Sequence, residues 1–98
     1  MKLSEVLHSP AHWTKGELYR DAFDAPSTFP SVKSCLYGAC FIADPVHAEE
    51  LYAELAKTLE AWGEDRGPIH FNDAPDTTFA NVQQLIRETE ERLSNAAL

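Results

Sequence analysis

The sequence predicts a mainly α fold. It reads as one small helical domain over residues 1–98, with a buried central helix at 35–43 covered by two amphipathic helices at 45–62 and 78–94. At most a short two-stranded β element accompanies them. Three observations lead there. The segment CLYGACFIA is apolar in every direction of a helical projection, as befits a helix buried on all sides. Segments 45–62 and 78–94 each carry one apolar stripe at helical spacing. Finally, 98 residues can enclose one hydrophobic core but not a core plus a separate cofactor domain.

The chain opens with KLSEVLH, in which Leu3, Val6 and Leu7 share one side of a short helix that Pro10 must end. From Ser9 to Lys33 no period holds, although Trp13, Leu18, Tyr19, Phe23 and Phe29 are strung through the stretch. So long an irregular run is either a functional loop or a set of short strands. Residues 18–23 are one candidate strand.

Ser34 is the expected cap of the central helix. Within it, Gly38 and Ala39 are small enough for a neighbouring element to approach the backbone closely. The next helix has Asp44 as its expected N-cap, Pro45 at the first helical position and Gly63 as its stop. Ala48, Leu51, Tyr52, Leu55, Leu59 and Trp62 form its stripe, whereas Glu49, Glu50, Glu54, Glu60 and Glu64 face away with only Lys57 to offset them. Between Asp44 and Asp65 seven acidic residues stand against one basic, a net of −6, so most of the protein's charge is expected on this helix.

Residues 69–71 alternate like a short strand, and NDAPDT reads as a turn. Thr78 then caps the last helix, which buries Val82, Leu85, Ile86, Thr89 and Leu93 and turns Gln84, Glu88 and Glu91 outward.

Composition narrows the function classes. A net charge of −8 repels nucleic-acid backbones and anionic lipid, and favours a protein partner with a basic surface; the plainer reading of the same charge is solubility. No stretch approaches the roughly 20 apolar residues that span a bilayer, and the start lacks the apolar run of a signal peptide, so a cytoplasmic protein is expected. Two cysteines and four scattered histidines form no zinc spacing, and no phosphate loop, Gly-x-Ser-x-Gly or His-Glu-x-x-His motif occurs. No metal or cofactor is expected. His8, His12 and His47 read as surface or half-buried residues.

The remaining chemistry centres on Cys35 and Cys40. Five residues of helix separate them by about 7.5 Å of rise. A disulfide needs Cα atoms within roughly 7 Å, so a helical segment cannot hold the pair as a redox switch. Cys35 alone retains a nucleophile reading. It would stand at a helix N-terminus, where the dipole favours the thiolate, with His70 as base and Asn72 or Asp73 to orient it. Against this stands the ordinary role of cysteine as core. Asn72 and Asp73 are expected to bond the local backbone in an Asx-turn, with Asp76 or Thr78 capping the helix that follows; the alternative is a small-molecule site at that turn. Trp13 is either core or part of a binding surface with Tyr19 and Phe23.

Three features recur in a suggestive order: Trp13 followed by Thr-Lys-Gly, then Cys35-Leu-Tyr-Gly-Ala, then Phe71-Asn72-Asp73-Ala-Pro-Asp-Thr before an amphipathic helix. The chain resembles a family of small uncharacterised bacterial and phage proteins, a domain of unknown function marked by a Trp, a Cys-x-x-Gly-Ala segment and an aromatic-Asn-Asp turn. The resemblance runs from residue 13 to 92. It implies a compact, mostly helical domain carried by phage or mobile elements, and it supplies no activity or catalytic residues. The opening helix is shorter than the family's, which leaves its packing open.

The leading expectation is therefore a small acidic binding protein without enzymatic activity. Glu49, Glu50, Glu54, Glu60 and Glu64, with Trp13, would meet a basic surface of a partner protein. In a phage-encoded protein acting in the host cytoplasm, that partner would be a nucleic-acid-binding or defence factor to be inhibited. The alternatives are a cysteine-dependent hydrolase or transferase using Cys35 and His70, and a small-molecule binder at the Asn72-Asp73 turn. A homodimer stays open as a way to finish burying the central helix.

Overall fold

The computed structural model describes residues 1–27 and 32–96, so Phe29 of the aromatic series lies outside the described residues. In order come α1 (Leu3–Val6), a 3-10 turn (Pro10–His12), β1 (Tyr19–Arg20), β2 (Lys33–Ser34), α2 (Leu36–Ala43), α3 (Ala48–Ala61), α4 (Pro68–Asp73) and α5 (Phe79–Ala96). The protein is mainly α, with one short antiparallel ribbon pairing Tyr19 with Ser34 and Arg20 with Lys33.

Helix α2 occupies the centre, contacting α1, α3, α4 and β2, while α5 closes the far side by packing on α3 and α1. Leu3, Leu7, Leu36, Cys40, Leu55, Leu59, Val82, Leu85 and Ile86 meet in one core. Burial of α2 is not uniform, however. Leu36, Ala39 and Cys40 are fully enclosed, but Tyr37, Phe41 and Ile42 are only half-buried. Tyr37 instead joins an edge-to-face cluster with Phe41 and Tyr52, each ring centroid 5.1 Å from its own. The inner face of α2 is thus narrower than its all-apolar composition predicts.

Gly38 makes that packing possible. A Cβ at this position would lie 2.6 Å from the backbone oxygen of Leu18 and 2.9 Å from the Tyr19 ring. The same Leu18 oxygen accepts the Cys35 N–H at 3.1 Å, tying the irregular segment to the start of α2. The cap of α2 is Cys35 rather than Ser34, which belongs to β2.

Two element boundaries differ from expectation. Asp44 does not begin the third helix: its N–H closes α2 on the Cys40 oxygen, and its carboxylate accepts the His47 N–H at 3.3 Å. Pro45 is therefore spent in a turn, and α3 starts after His47. The far end is as expected. Gly63 adopts φ 78°, and Glu64 and Gly63 donate back to Leu59 and Glu60 in a Schellman arrangement.

Residues 69–71 form no strand. They lie in α4, where Gly67 precedes Pro68 at the first helical position and its oxygen accepts the Phe71 N–H at 2.9 Å. The partner of β1 is consequently β2. At α5 the Thr78 cap holds as expected. Its hydroxyl accepts the Asn81 N–H while the Asn81 side chain accepts the Thr78 N–H, a reciprocal box.

Candidate functional site

Three of the sequence features singled out above converge on Asn72. This side chain is fully buried on α4, a position polar groups occupy only when satisfied. Its Oδ1 accepts the indole N–H of Trp13 at 2.7 Å and the backbone N–H of Leu36, a free donor at the start of α2, at 3.1 Å. Its Nδ2 donates to the Thr14 oxygen at 3.0 Å and to Asp73 Oδ1 at 2.9 Å. All four bonding sites of the amide are used. Both groups facing Oδ1 can only donate, which fixes the orientation of the amide.

Neighbouring bonds extend this clamp. Asp73 Oδ1 also accepts the Gly16 N–H at 2.9 Å, and Lys15 Nζ donates to the Ala74 oxygen at 2.5 Å. Residues 13–16 are thereby fastened to residues 72–74. The expected Asx-turn is thus replaced by long-range bonding: Asn72 and Asp73 reach across the molecule. No periodicity could reveal this, because the partners of a buried Asn are set by topology.

Trp13 faces inward as well. Its half-buried ring lies 5.9 Å from Phe79, centroid to centroid, and 5.5 Å below Lys15 Nζ. Phe23, by contrast, is 91% exposed.

Cys35 caps α2 with its sulfur, which accepts the Gly38 N–H at 3.4 Å. The thiol is buried, and burial pushes its pKa up against the opposing help of that N–H. Desolvation outweighs the dipole effect anticipated from the helix N-terminus. His70 is exposed, and no hydrogen bond joins it to Cys35 among the described residues. Cys40 is enclosed more completely, and burial carries its pKa to about 12.

Beside Cys35 lies an open cleft of about 390 Å³, lined by Leu18, Ile69 and Tyr37 together with the exposed Glu17 and Asp73. Of the lining residues, Cys35 and Asp73 alone carry a chemical signal in the sequence. The Gly67-Pro68 start signal of α4 was the available clue, since it places Ile69 and Asp73 four residues apart on one side of a helix.

The acidic residues of α3 divide into two groups. Glu54 is bound by Arg92 of α5 at 2.5 Å and by Lys57 at 3.0 Å, which hold its carboxyl below the usual range. Beyond the helix, Glu64 is gripped by Arg66 at 2.8 Å, and its pKa falls to about 2. These two charges are neutralised within the chain. Among the described residues Glu50 and Glu60 are exposed without a cation, and exposed Glu49 accepts only the Tyr37 hydroxyl, at 2.6 Å. They leave an anionic ridge beside the exposed Ala53. Among the described residues no group of three metal-ligating side chains is assembled, and no helix is long and apolar enough to cross a membrane.

The family model described as "Family of unknown function (DUF6197)" matches residues 2–92, and the chain belongs to that family. No curated protein and no solved structure matches the chain.

Proposed function

We propose that this family member is a non-enzymatic binding protein whose α3 ridge meets a basic surface on a partner protein. The observation that carries the reading is the sorting of charge on and just beyond α3. Glu54 and Glu64 have cations of their own, whereas Glu49, Glu50 and Glu60 present carboxylates that no cation among the described residues pairs with, on a helix anchored to the core by Leu55 and Leu59. A predominantly anionic surface of this kind, on which the exposed Lys57 is paired with Glu54 at 3.0 Å, speeds encounter with an oppositely charged partner and selects for it. Nucleic-acid-binding proteins present such basic surfaces, so a cytoplasmic host factor of that class, inhibited by a phage-encoded protein, is the fitting partner.

The cysteine-hydrolase alternative receives less support. A reactive thiol needs an electropositive, accessible setting, and Cys35 is enclosed with a raised pKa.

The test is capture from cell extract at low salt by the wild-type protein and by an E49Q/E50Q/E60Q variant. Basic proteins that elute early in a salt gradient and fail to bind the variant are expected. An identical set of captured proteins would refute the reading.

A further inference from the structure

We infer that the cleft beside Cys35 receives a lysine side chain of the basic partner, an assignment that rests on the proposed binding function and extends it to a particular residue type. The cleft has two kinds of wall. Leu18 and Ile69, 45% and 40% exposed overall, line it together with Tyr37. Glu17 and Asp73, both exposed, add carboxylates to the lining. An aliphatic stem ending in a cation satisfies both, because lysine buries its methylenes against apolar surface while its ammonium stays at the rim. An anion would face two carboxylates and, among the described residues lining the cleft, no cation; the Lys15 ammonium is already bonded to the Ala74 oxygen and lies over the Trp13 ring.

Asp73 also separates lysine from arginine. Its Oδ1 is saturated by the Gly16 and Asn72 N–H donors, which leaves Oδ2 alone to accept. Arginine's planar fork binds best when both oxygens of a carboxylate are free, whereas an ammonium needs only one. The cleft is also continuous with the α3 ridge: Tyr37 lines it and donates its hydroxyl to Glu49. One basic segment could therefore lie along Glu49, Glu50 and Glu60 and drop a lysine beside Asp73.

The experiment is an NMR titration of the whole protein with blocked tetralysine and tetraarginine peptides. Tetralysine is expected to shift the amide signals of Gly16, Leu18 and Ile69 more than tetraarginine does. Asp73→Asn, which keeps an acceptor at Oδ1, should abolish those shifts. Glu17→Gln, on an exposed side chain, should weaken binding by about threefold, as for one exposed ion pair. Shifts confined to α3, equal responses to the two peptides, or unchanged cleft shifts in both variants would overturn the inference. Cleft shifts that persist in E49Q/E50Q/E60Q with undiminished affinity would instead overturn the ridge reading while leaving the lysine assignment standing.

Discussion

The indole N–H of Trp13 donates to the side-chain oxygen of Asn72 at 2.7 Å, joining residues 59 positions apart in the chain. Asn72 also receives the first N–H of α2, so one amide pins the irregular N-terminal segment, the central helix and α4 together. Removing it strands several buried partners at once. Asn72→Ala should destabilise the protein by about 3 kcal/mol, because each orphaned buried group costs roughly 1–3 kcal/mol. Trp13→Phe loses one donor and should cost about 1 kcal/mol. The double variant should cost less than the sum, which urea unfolding of the four proteins would measure. Strict additivity would mean that the two side chains are not coupled.

Helix α2 tolerates nothing larger than glycine at position 38. Alanine there would normally gain roughly 1 kcal/mol of helix propensity. Here its Cβ would stand 2.6 Å from the Leu18 backbone oxygen, which is itself held by the Cys35 N–H. Gly38→Ala should therefore lower stability by about 2 kcal/mol, the scale of core overpacking. A thermal melt showing stabilisation would contradict the close approach described for this pair.

Both thiols should be slow. Cys35 and Cys40 are buried with pKa values raised by burial, so alkylation of the folded protein should run on the order of 100-fold slower than after denaturation. Mass spectrometry of iodoacetamide-treated samples resolves the two sites. Rapid, pH-dependent modification of folded Cys35 would revive the hydrolase alternative.

Stability should peak between the acid and alkaline limbs of the pH scale. Glu64 titrates near 2 in the folded state instead of 4.5, and Asp24, Asp44, Glu54 and Glu88 are shifted the same way by their hydrogen-bonded partners. The folded state then binds fewer protons than the unfolded one in that range, so stability is lost as pH falls from about 5 towards 2. Cys40 acts in the opposite direction. Its folded pKa of about 12 exceeds the ordinary 9.0, so stability is lost as pH climbs between those values. Melting temperatures that keep rising below pH 4 would contradict these assignments.

The elements readable in the sequence are those whose signals are local. Gly63 marks the end of α3 because only a residue at ease at positive φ closes a Schellman turn, and Thr78 marks the start of α5 because its cap lies within three residues. The start of α3 was less legible. Asp44-Pro45 carries the usual opening signal, yet Asp44 is already engaged in ending α2. Three residues, 69–71, are too few to tell a period of two from one of 3.6, and there the Gly67-Pro68 pair was the better guide. The Asn72 clamp and the cleft were beyond reach for another reason. Their members come from three separate stretches, and the polar, turn-like character of Asn-Asp concealed a core position.

Charge on α3 is the centre of the functional account, and the most direct measurement is the affinity of a purified basic partner for wild-type protein and for E49Q/E50Q/E60Q, taken at two salt concentrations. The variant is expected to bind at least about tenfold more weakly, with an affinity that depends less on salt, because screened charge attraction carries the encounter. Equal affinity with an equal salt dependence would contradict it.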